Sequence, residues 1–387
     1  PLEEIASDQF QIAGGWGGGT FVGSVGVTLN NLSIKNFFKK GAWRPYPMGQ
    51  NQRLSISAQT NGTYYKAFAI SFTDPWMGGR KPNSFTISAH YSDENNAYYA
   101  WQKGTRYFRT AGVAAGLGKR LDWPDPYFTF YAEASYERYM LKDWNTFVLK
   151  NGAANLLSIR LVLGRNSVDQ PIYPRRGSDF SVSVQLTPPY SLWDGKDYKS
   201  TALSEQERYN WIEFHKWMLK GQWFTPLTRN GNLVLMARAE MGYLGHYNKN
   251  KVSPFERFEV GGDGMTGYNM YGIDIISMRG YDDGALDPVG SNYSCAYNKY
   301  TMELRYPLLL KGQTNIYVLG FLEGGNGFTS WKEFSPFKIK RSAGIGVRLF
   351  LPVVGMVGVD WGWGFDPAAG QTKRSGSHIH FTMGMQF

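Results

Sequence analysis

The chain has little of what soluble or helical proteins are built from. Its one cysteine, Cys295, stands among 387 residues, which excludes an intramolecular disulfide framework and a cysteine-based zinc site. Long apolar runs are also missing. The longest stretch without a charged or strongly polar side chain, Leu349 to Val359, spans 11 residues and includes Pro352, Gly355 and Gly358. A spanning helix needs about 20 apolar residues, so no transmembrane helix is expected, whereas a membrane strand needs only about 9–11 and alternate ones can be polar. No run of ten or more residues reads as an amphipathic helix; only a short helical turn near Asn31 to Lys39 is suggested. The opening Pro1-Leu2-Glu3-Glu4 has neither a basic nor an apolar signal region, so an exported protein would be represented here in mature or trimmed form.

Aromatics are abundant, at 16% with 25 Tyr and 13 Trp. The net charge is +10, which points to an anionic partner, lipid phosphate or nucleic acid. Alternation dominates the pattern. Phe180, Val182, Val184 and Leu186 interleave with Ser181, Ser183, Gln185 and Thr187; Tyr300, Met302, Leu304 and Tyr306 interleave with Thr301, Glu303 and Arg305. Period two places one set on each face of a strand. About sixteen such segments run from 8–16 and 20–30 through 209–225 and 232–246 to 354–364 and 378–387. Turn clusters such as Asn61-Gly62 and Asn151-Gly152 separate them.

A soluble sandwich and a membrane barrel both fit an all-β pattern. The expected inner set (Arg160, Arg238, Glu240, Glu303, Arg305, Arg348) is too charged for a dry core. Tyr91, Tyr139, Trp144, Trp223, Phe224, Tyr243, Trp361, Trp363 and Phe387 fall at or near strand ends, as membrane girdles do. The expected fold is therefore an all-β, 16-stranded antiparallel transmembrane β-barrel over 8–387.

Lipid forbids open edges, so the first and last strands should meet. Five glycines sit in the first, Gly14, Gly15, Gly17, Gly18 and Gly19, around Trp16, and glycine weakens strands. The last carries Phe381, Met383, Gly384, Met385 and ends on Phe387. Their seam is expected to be the weakest in the barrel. Two gaps exceed a hairpin loop, roughly 190–208 and 247–297, and the second is long enough to be functional.

An ordered set of motifs then becomes recognisable. Asn166-Ser-Val-Asp169 and Pro174-Arg-Arg-Gly177 form one turn motif; Pro254-Phe255, Phe258, Gly261-Gly262 and Arg279-Gly280-Tyr281 lie in the long loop. Glu323-Gly324, Ser342 to Gly346 and the aromatic ending follow. Together they resemble the outer-membrane barrel-assembly proteins of the POTRA-barrel insertase and transporter superfamily. The resemblance implies that the long loop folds back into the lumen, with Arg279 at its tip against the inner wall. Gly280 would permit close backbone approach. The family's usual aspartate partner is replaced here by Glu323, whose orientation strand parity does not settle. It also implies that residues 1–7 are a linker from periplasmic POTRA domains.

Several other signals compete. Gly262-Asp-Gly264-Met-Thr-Gly267 satisfies a dinucleotide fingerprint, but no helical pattern follows it. His378 and His380 share a strand face without an evident third metal ligand. The basic residues Lys35, Lys39, Lys40, Arg175, Arg176, Lys338, Lys340 and Arg341 fall in presumed loops and suit lipid and lipopolysaccharide phosphates better than nucleic acid. No cofactor or metal is expected.

The resemblance implies a non-enzymatic insertase that folds β-barrel clients into the bacterial outer membrane. A weak lateral seam would template incoming strands. Unfolded outer-membrane clients and periplasmic or surface lipoproteins would be its partners. A TamA-like or two-partner-secretion polypeptide transporter is the alternative, followed by a porin or an outer-membrane phospholipase.

Overall fold

A computed structural model describes residues 9–17, 20–43, 46–62, 64–79, 82–97, 104–263, 273–290, 293–311, 314–351 and 355–383. The strands begin with β1 (Gln9–Gly17), β2 (Thr20–Leu32), β3 (Gln52–Asn61), β4 (Tyr65–Asp74) and β5 (Asn83–Asn95). There follow β6 (Tyr107–Arg120), β7 (Phe128–Lys142), β8 (Gly152–Asn166) and β9 (Gly177–Leu186). After the five-residue helix α1 (Glu205–Tyr209) come β10 (His215–Pro226) and β11 (Val234–Gly245). The long loop carries the short pair β12 (Phe258–Val260) and β13 (Asp274–Ile276). The chain then continues through β14 (Ala296–Lys311), β15 (Thr314–Phe328), β16 (Lys340–Leu351), β17 (Gly355–Pro367) and β18 (Arg374–Met383).

Sixteen strands are ordered along one sheet in chain sequence, β1 to β11 and then β14 to β18. Every neighbouring pair with a described register is antiparallel. No pairing among the described residues closes this sheet. β12 and β13 form a separate parallel pair. Among the described residues no helix is long and apolar enough to cross a membrane.

Two compact units divide the chain. The first takes in 1–161, 186–213 and 247–251. Its α1 begins with a capping box, in which Ser204 and Glu207 satisfy each other's backbone N–H groups. Gln206 then acts as a side-chain strand beside β8: its Oε1 accepts from Ala153 N at 2.8 Å and its Nε2 donates to Ala153 O at 2.7 Å. Asn155 N donates to Asn210 O, and Ile212 N to Asn155 O, both at 2.8 Å. The amides of Ala153 and Asn155, at the start of β8, are thus taken by the 205–212 segment. The expected strand at 209–225 accordingly starts later, at His215, because Tyr209 ends a helix and Ile212 serves β8.

The second unit takes in 162–185, 214–246 and 252–387. Its strands show the alternation directly. On β14, Met302, Leu304 and Tyr306 are about half exposed on the outer face, while Thr301, Glu303 and Arg305 are buried on the inner one. Apolar side chains outside and charged ones inside suit a wall facing lipid. Toward one end of the inner face lies a buried cluster of Phe224, Val234, Met236, Tyr317, Leu319, Phe321 and Met356. Tyr173, from the turn between β8 and β9, is inserted into it. Its hydroxyl donates to Asn232 O at 2.8 Å and Arg305 O at 3.0 Å.

Several expectations are corrected here. Phe224 is not a girdle residue, since it belongs to the inner cluster. Tyr139 is fully buried and donates to Glu137 at 2.8 Å, on the inner face of β7. Lys340 and Arg341 lie within β16 rather than in a loop. The helical turn near Asn31 to Lys39 is a single 3-10 turn at Ile34–Asn36.

Candidate functional site

The site is built where the long loop meets the inner face of the second unit. Arg279 is 7% exposed, and a buried guanidinium requires anionic partners. Its Nη2 donates to Glu323 Oε1 and Glu303 Oε1, each at 2.7 Å. Its Nε reaches Glu323 Oε1 at 3.1 Å, and its backbone N–H donates to Glu323 Oε2 at 2.9 Å. Asp360 lies 3.7 Å from Nη1. The guanidinium also sits 3.7 Å above the centre of the Phe321 ring.

These carboxylates are themselves shared. Arg305 Nε donates to Glu303 at 2.8 Å, and Arg348 grips Asp360 through two bonds of 2.8 Å. Lys299 approaches Glu323 at 4.0 Å. Strand parity delivers all of them: Glu303, Arg305, Glu323, Arg348 and Asp360 occupy the inward positions of β14 to β17. Burial works against the Arg279 charge, but Glu323, Glu303 and Asp360 outweigh it and hold the guanidinium's pKa above its ordinary value.

Gly280 lets the loop lie backbone to backbone on β17. Its φ is +85°, and a Cβ there would meet Ser342 Cβ at 2.8 Å and Gly364 N at 3.0 Å. Only glycine takes this conformation without cost. Gly362 and Gly364 provide the complementary clearance, since a Cβ on either would collide with Gly280 backbone atoms. Tyr281 is fully buried and donates to Arg341 O at 2.8 Å; burial pushes its hydroxyl up to about 12.

β18 contributes contacts that sequence reasoning missed. His380 Nε2 accepts the Gly280 N–H at 2.8 Å, and His378 Nδ1 stands 3.2 Å from Asp282. The shared face that suggested a metal pair is therefore the seat of the loop tip. Asp263 Oδ2 accepts the Phe381 N–H at 3.2 Å. Phe381 faces Val359 of β17 in the ladder.

A second anchor lies nearer the start of the loop. Lys216, on the inner face of β10, is 4% exposed and bonds Asp274 at 2.8 Å and Glu256 at 3.2 Å. It thus pins the β12–β13 pair. Its ammonium also stands 5.1 Å from the centre of the Phe258 ring, and Phe258 packs edge-on against Tyr297. Within the first unit, Lys251 lies 3.5 Å from Glu213, with the Tyr198 hydroxyl at 3.2 Å. Burial is the largest influence there and holds the Lys251 amine below its ordinary value.

The turn motif has a local geometry of its own. Asn166 Oδ1 accepts from Val168 N at 3.0 Å, and Asp169 Oδ1 accepts from Arg175 N and Arg176 N at 2.9 and 3.2 Å. These side chains close the connection between β8 and β9, which carries Pro174 and ends at Gly177, and that connection delivers Tyr173 to the inner cluster. Gly14, Gly15, Trp16 and Gly17 lie in β1, opposite Gly23, Val22, Phe21 and Thr20. Met383 faces Val357. Gly18, Gly19, Gly384, Met385 and Phe387 lie outside the described residues, as do Gly264 and Gly267 of the dinucleotide-like run.

An antiparallel sixteen-stranded sheet, apolar outside, charged inside and carrying a loop locked onto its inner face by arginine, defines an integral β-barrel protein of a bacterial outer membrane. The model of the Omp85 superfamily domain matches residues 48–387. The chain belongs to the Omp85 superfamily.

A curated relative, the outer membrane protein assembly factor BamA of Neisseria meningitidis serogroup B, is 23% identical over 326 residues. That match covers 79% of this chain and 33% of the relative, so the chain spans about a third of that protein's length. Among solved structures, BamA from Haemophilus ducreyi lacking POTRA domains 1–3 superposes with a TM-score of 0.63 at 17% identity. It covers 98% of this chain and 69% of its own. CdiB from Escherichia coli superposes with a TM-score of 0.57 at 12% identity, over 98% of this chain and 62% of its own.

Proposed function

We propose that this chain is the barrel of an insertase that folds outer-membrane β-barrel proteins. It acts without catalytic residues or cofactor, and its strand edge is the working surface. One observation supports the reading: β18 is last in the sheet order, and its Phe381 N–H is held by the Asp263 carboxylate of the long loop at 3.2 Å. A strand amide held by a loop side chain can be exchanged for one held by an incoming strand. An unfolded client's polar backbone is costly in hydrocarbon, and pairing it edge to edge removes that cost. The client's own folding free energy then drives release.

On this reading Gly14 to Gly18 and Phe381 to Phe387 form the lateral seam. The Arg279 cluster holds the long loop while the seam works. Residues 1–7 lead from POTRA domains, and lipoproteins of an assembly complex are the natural partners. The likeness to an assembly factor in sequence supports this choice.

The test is depletion in the native cell, followed by an inventory of assembled outer-membrane barrels. Global loss of barrels is the expected result; loss of one secreted client alone would favour a two-partner-secretion transporter, a reading the likeness to CdiB keeps in view. A disulfide between Gly14→Cys and Gly384→Cys is expected to abolish assembly without unfolding the barrel. Full activity of the oxidised protein would remove the seam from the mechanism.

A further inference from the structure

The segment 329–339, between β15 and β16, does not continue the wall upward. It folds back onto the outer face of the second unit. Asn298 of β14 shares its parity with the half-exposed Met302 and Leu304, and its side chain donates to Ser335 O at 2.8 Å. Gly324 shares its parity with the exposed Leu322 on β15, and the space over it is filled by Ile339, whose Cδ1 would lie 2.9 Å from a Cβ there. Phe328, on the same outward parity, is buried beneath Phe334 at 5.3 Å. The rest of the collar is aromatic. Trp331 stacks flat on Phe334 at 4.7 Å and meets Tyr243 of β11 at 5.0 Å.

This collar leaves Phe337 89% and Trp331 55% exposed. Beside them, Lys332 and Lys338 are exposed and have no ion pair among the described residues. The one acid of the segment, Glu333, accepts the Thr329 hydroxyl at 2.7 Å. The patch is continuous with the lipid-facing wall and lies at the end of β15 that leads away from the turn side, on the side of the long loop. Flat aromatic faces beside two uncompensated ammonium groups suit a sugar ring that bears phosphate.

We propose that the 329–339 collar is a docking site for the phosphorylated sugar headgroup of the outer-leaflet glycolipid. Trp331 and Phe337 pack on its sugar rings, and Lys332 and Lys338 meet its phosphates. The proposal rests on the outer-membrane placement of the barrel and does not depend on the insertase reading.

The experiment measures lipid retention by the detergent-purified full chain with three probes. These are a bisphosphorylated disaccharide lipid A, the same lipid enzymatically stripped of phosphate, and phosphatidylglycerol. Each lysine beside an anionic headgroup is worth roughly fivefold in affinity, about 25-fold for two. The unmodified protein should therefore retain intact lipid A by about that factor over the dephosphorylated form, and also more tightly than phosphatidylglycerol. Lys332→Gln with Lys338→Gln should erase the phosphate preference, and Trp331→Ala with Phe337→Ala should weaken both forms of lipid A. Retention that ignores phosphate overturns the proposal. So does phosphatidylglycerol binding as tightly as lipid A, which would make the patch a general anionic surface. Lys332→Arg with Lys338→Arg, which keeps both charges, should retain the phosphate preference; a preference that survives Lys332→Gln with Lys338→Gln would place the phosphates on other basic residues and overturn the proposal.

Discussion

The Gly280 N–H donates to Nε2 of His380 at 2.8 Å, so the tip of the long loop is held by the inner face of the last strand. Gly280 has φ +85° and no room for a Cβ. Gly280→Ala should therefore lift the tip rather than be absorbed by small shifts, at a cost of about 1–3 kcal/mol in local strain. Limited proteolysis of the long loop should accelerate while the folded barrel's heat-modifiable gel migration is kept. Unchanged cleavage would mean that the tip is not seated through Gly280.

Arg279 is the larger test. Removing it strands Glu303, Glu323 and Asp360 with less positive charge in a buried setting, which costs about 3–5 kcal/mol when one partner of a buried pair is lost. Arg279→Ala should lower the urea midpoint of unfolding markedly. Arg279→Lys keeps the charge but not the fork that reaches two carboxylates, so it should fall between. A lysine variant as stable as the original would show that charge alone matters at this position.

Lys216 offers a cycle that separates the second anchor from the first. Lys216→Met and Glu256→Gln should each destabilise the loop, and the double variant should cost less than their sum, with a coupling of about 0.5–3 kcal/mol. Additive effects would show that the 3.2 Å contact is not energetically real.

Asp287 gives a pH signature. It is 7% exposed, and burial pushes its carboxyl from an ordinary value of 3.8 up to about 8. Its Oδ1 accepts from Ser294 Oγ and Val260 N, whereas Oδ2 has no hydrogen-bond partner. An acid whose pKa is raised in place binds its proton more tightly when the loop is docked than when it is released. Docking is therefore strongest at low pH, weakens as pH climbs from about 4 to about 8, and changes little above that. Proteolysis near residue 287 should be several-fold faster at pH 9 than at pH 5.5, and Asp287→Asn should flatten the profile. A flat profile in the unmodified chain would refute this.

The wall was legible because lipid imposes a strict rule on it. Period-two alternation in stretches such as Tyr300 to Tyr306 survives in β14, with the charged set inward. Segment ends were less legible where the chain departs from that rule. Ser204 and Glu207 form a capping box that announces α1, and reading it would have moved the start of β10 past Tyr209. The inner network was mostly hidden. Glu323 could be named as a partner for Arg279, but Glu303 and Asp360 could not, because their convergence depends on register between strands. Lys216 with Glu256 and Asp274 leaves no spacing signal at all, since 40 residues separate the first two. His378 and His380 looked like a weak metal pair because nothing in sequence places a loop 100 residues away against them.

The alternation of β18 constrains how that strand can travel. His380 sits under Gly280 and His378 beside Asp282, on one face. Sliding the strand by one residue would turn both imidazoles toward lipid and bring outward-facing neighbours such as Ile379 under the loop. Sliding it by two would put His378 where His380 was and keep an imidazole beneath the tip. One step of about 6.7 Å in that direction thus keeps a nitrogen for the loop to hold, whereas the opposite step brings Thr382, and a second step the same way Gly376, beneath the tip.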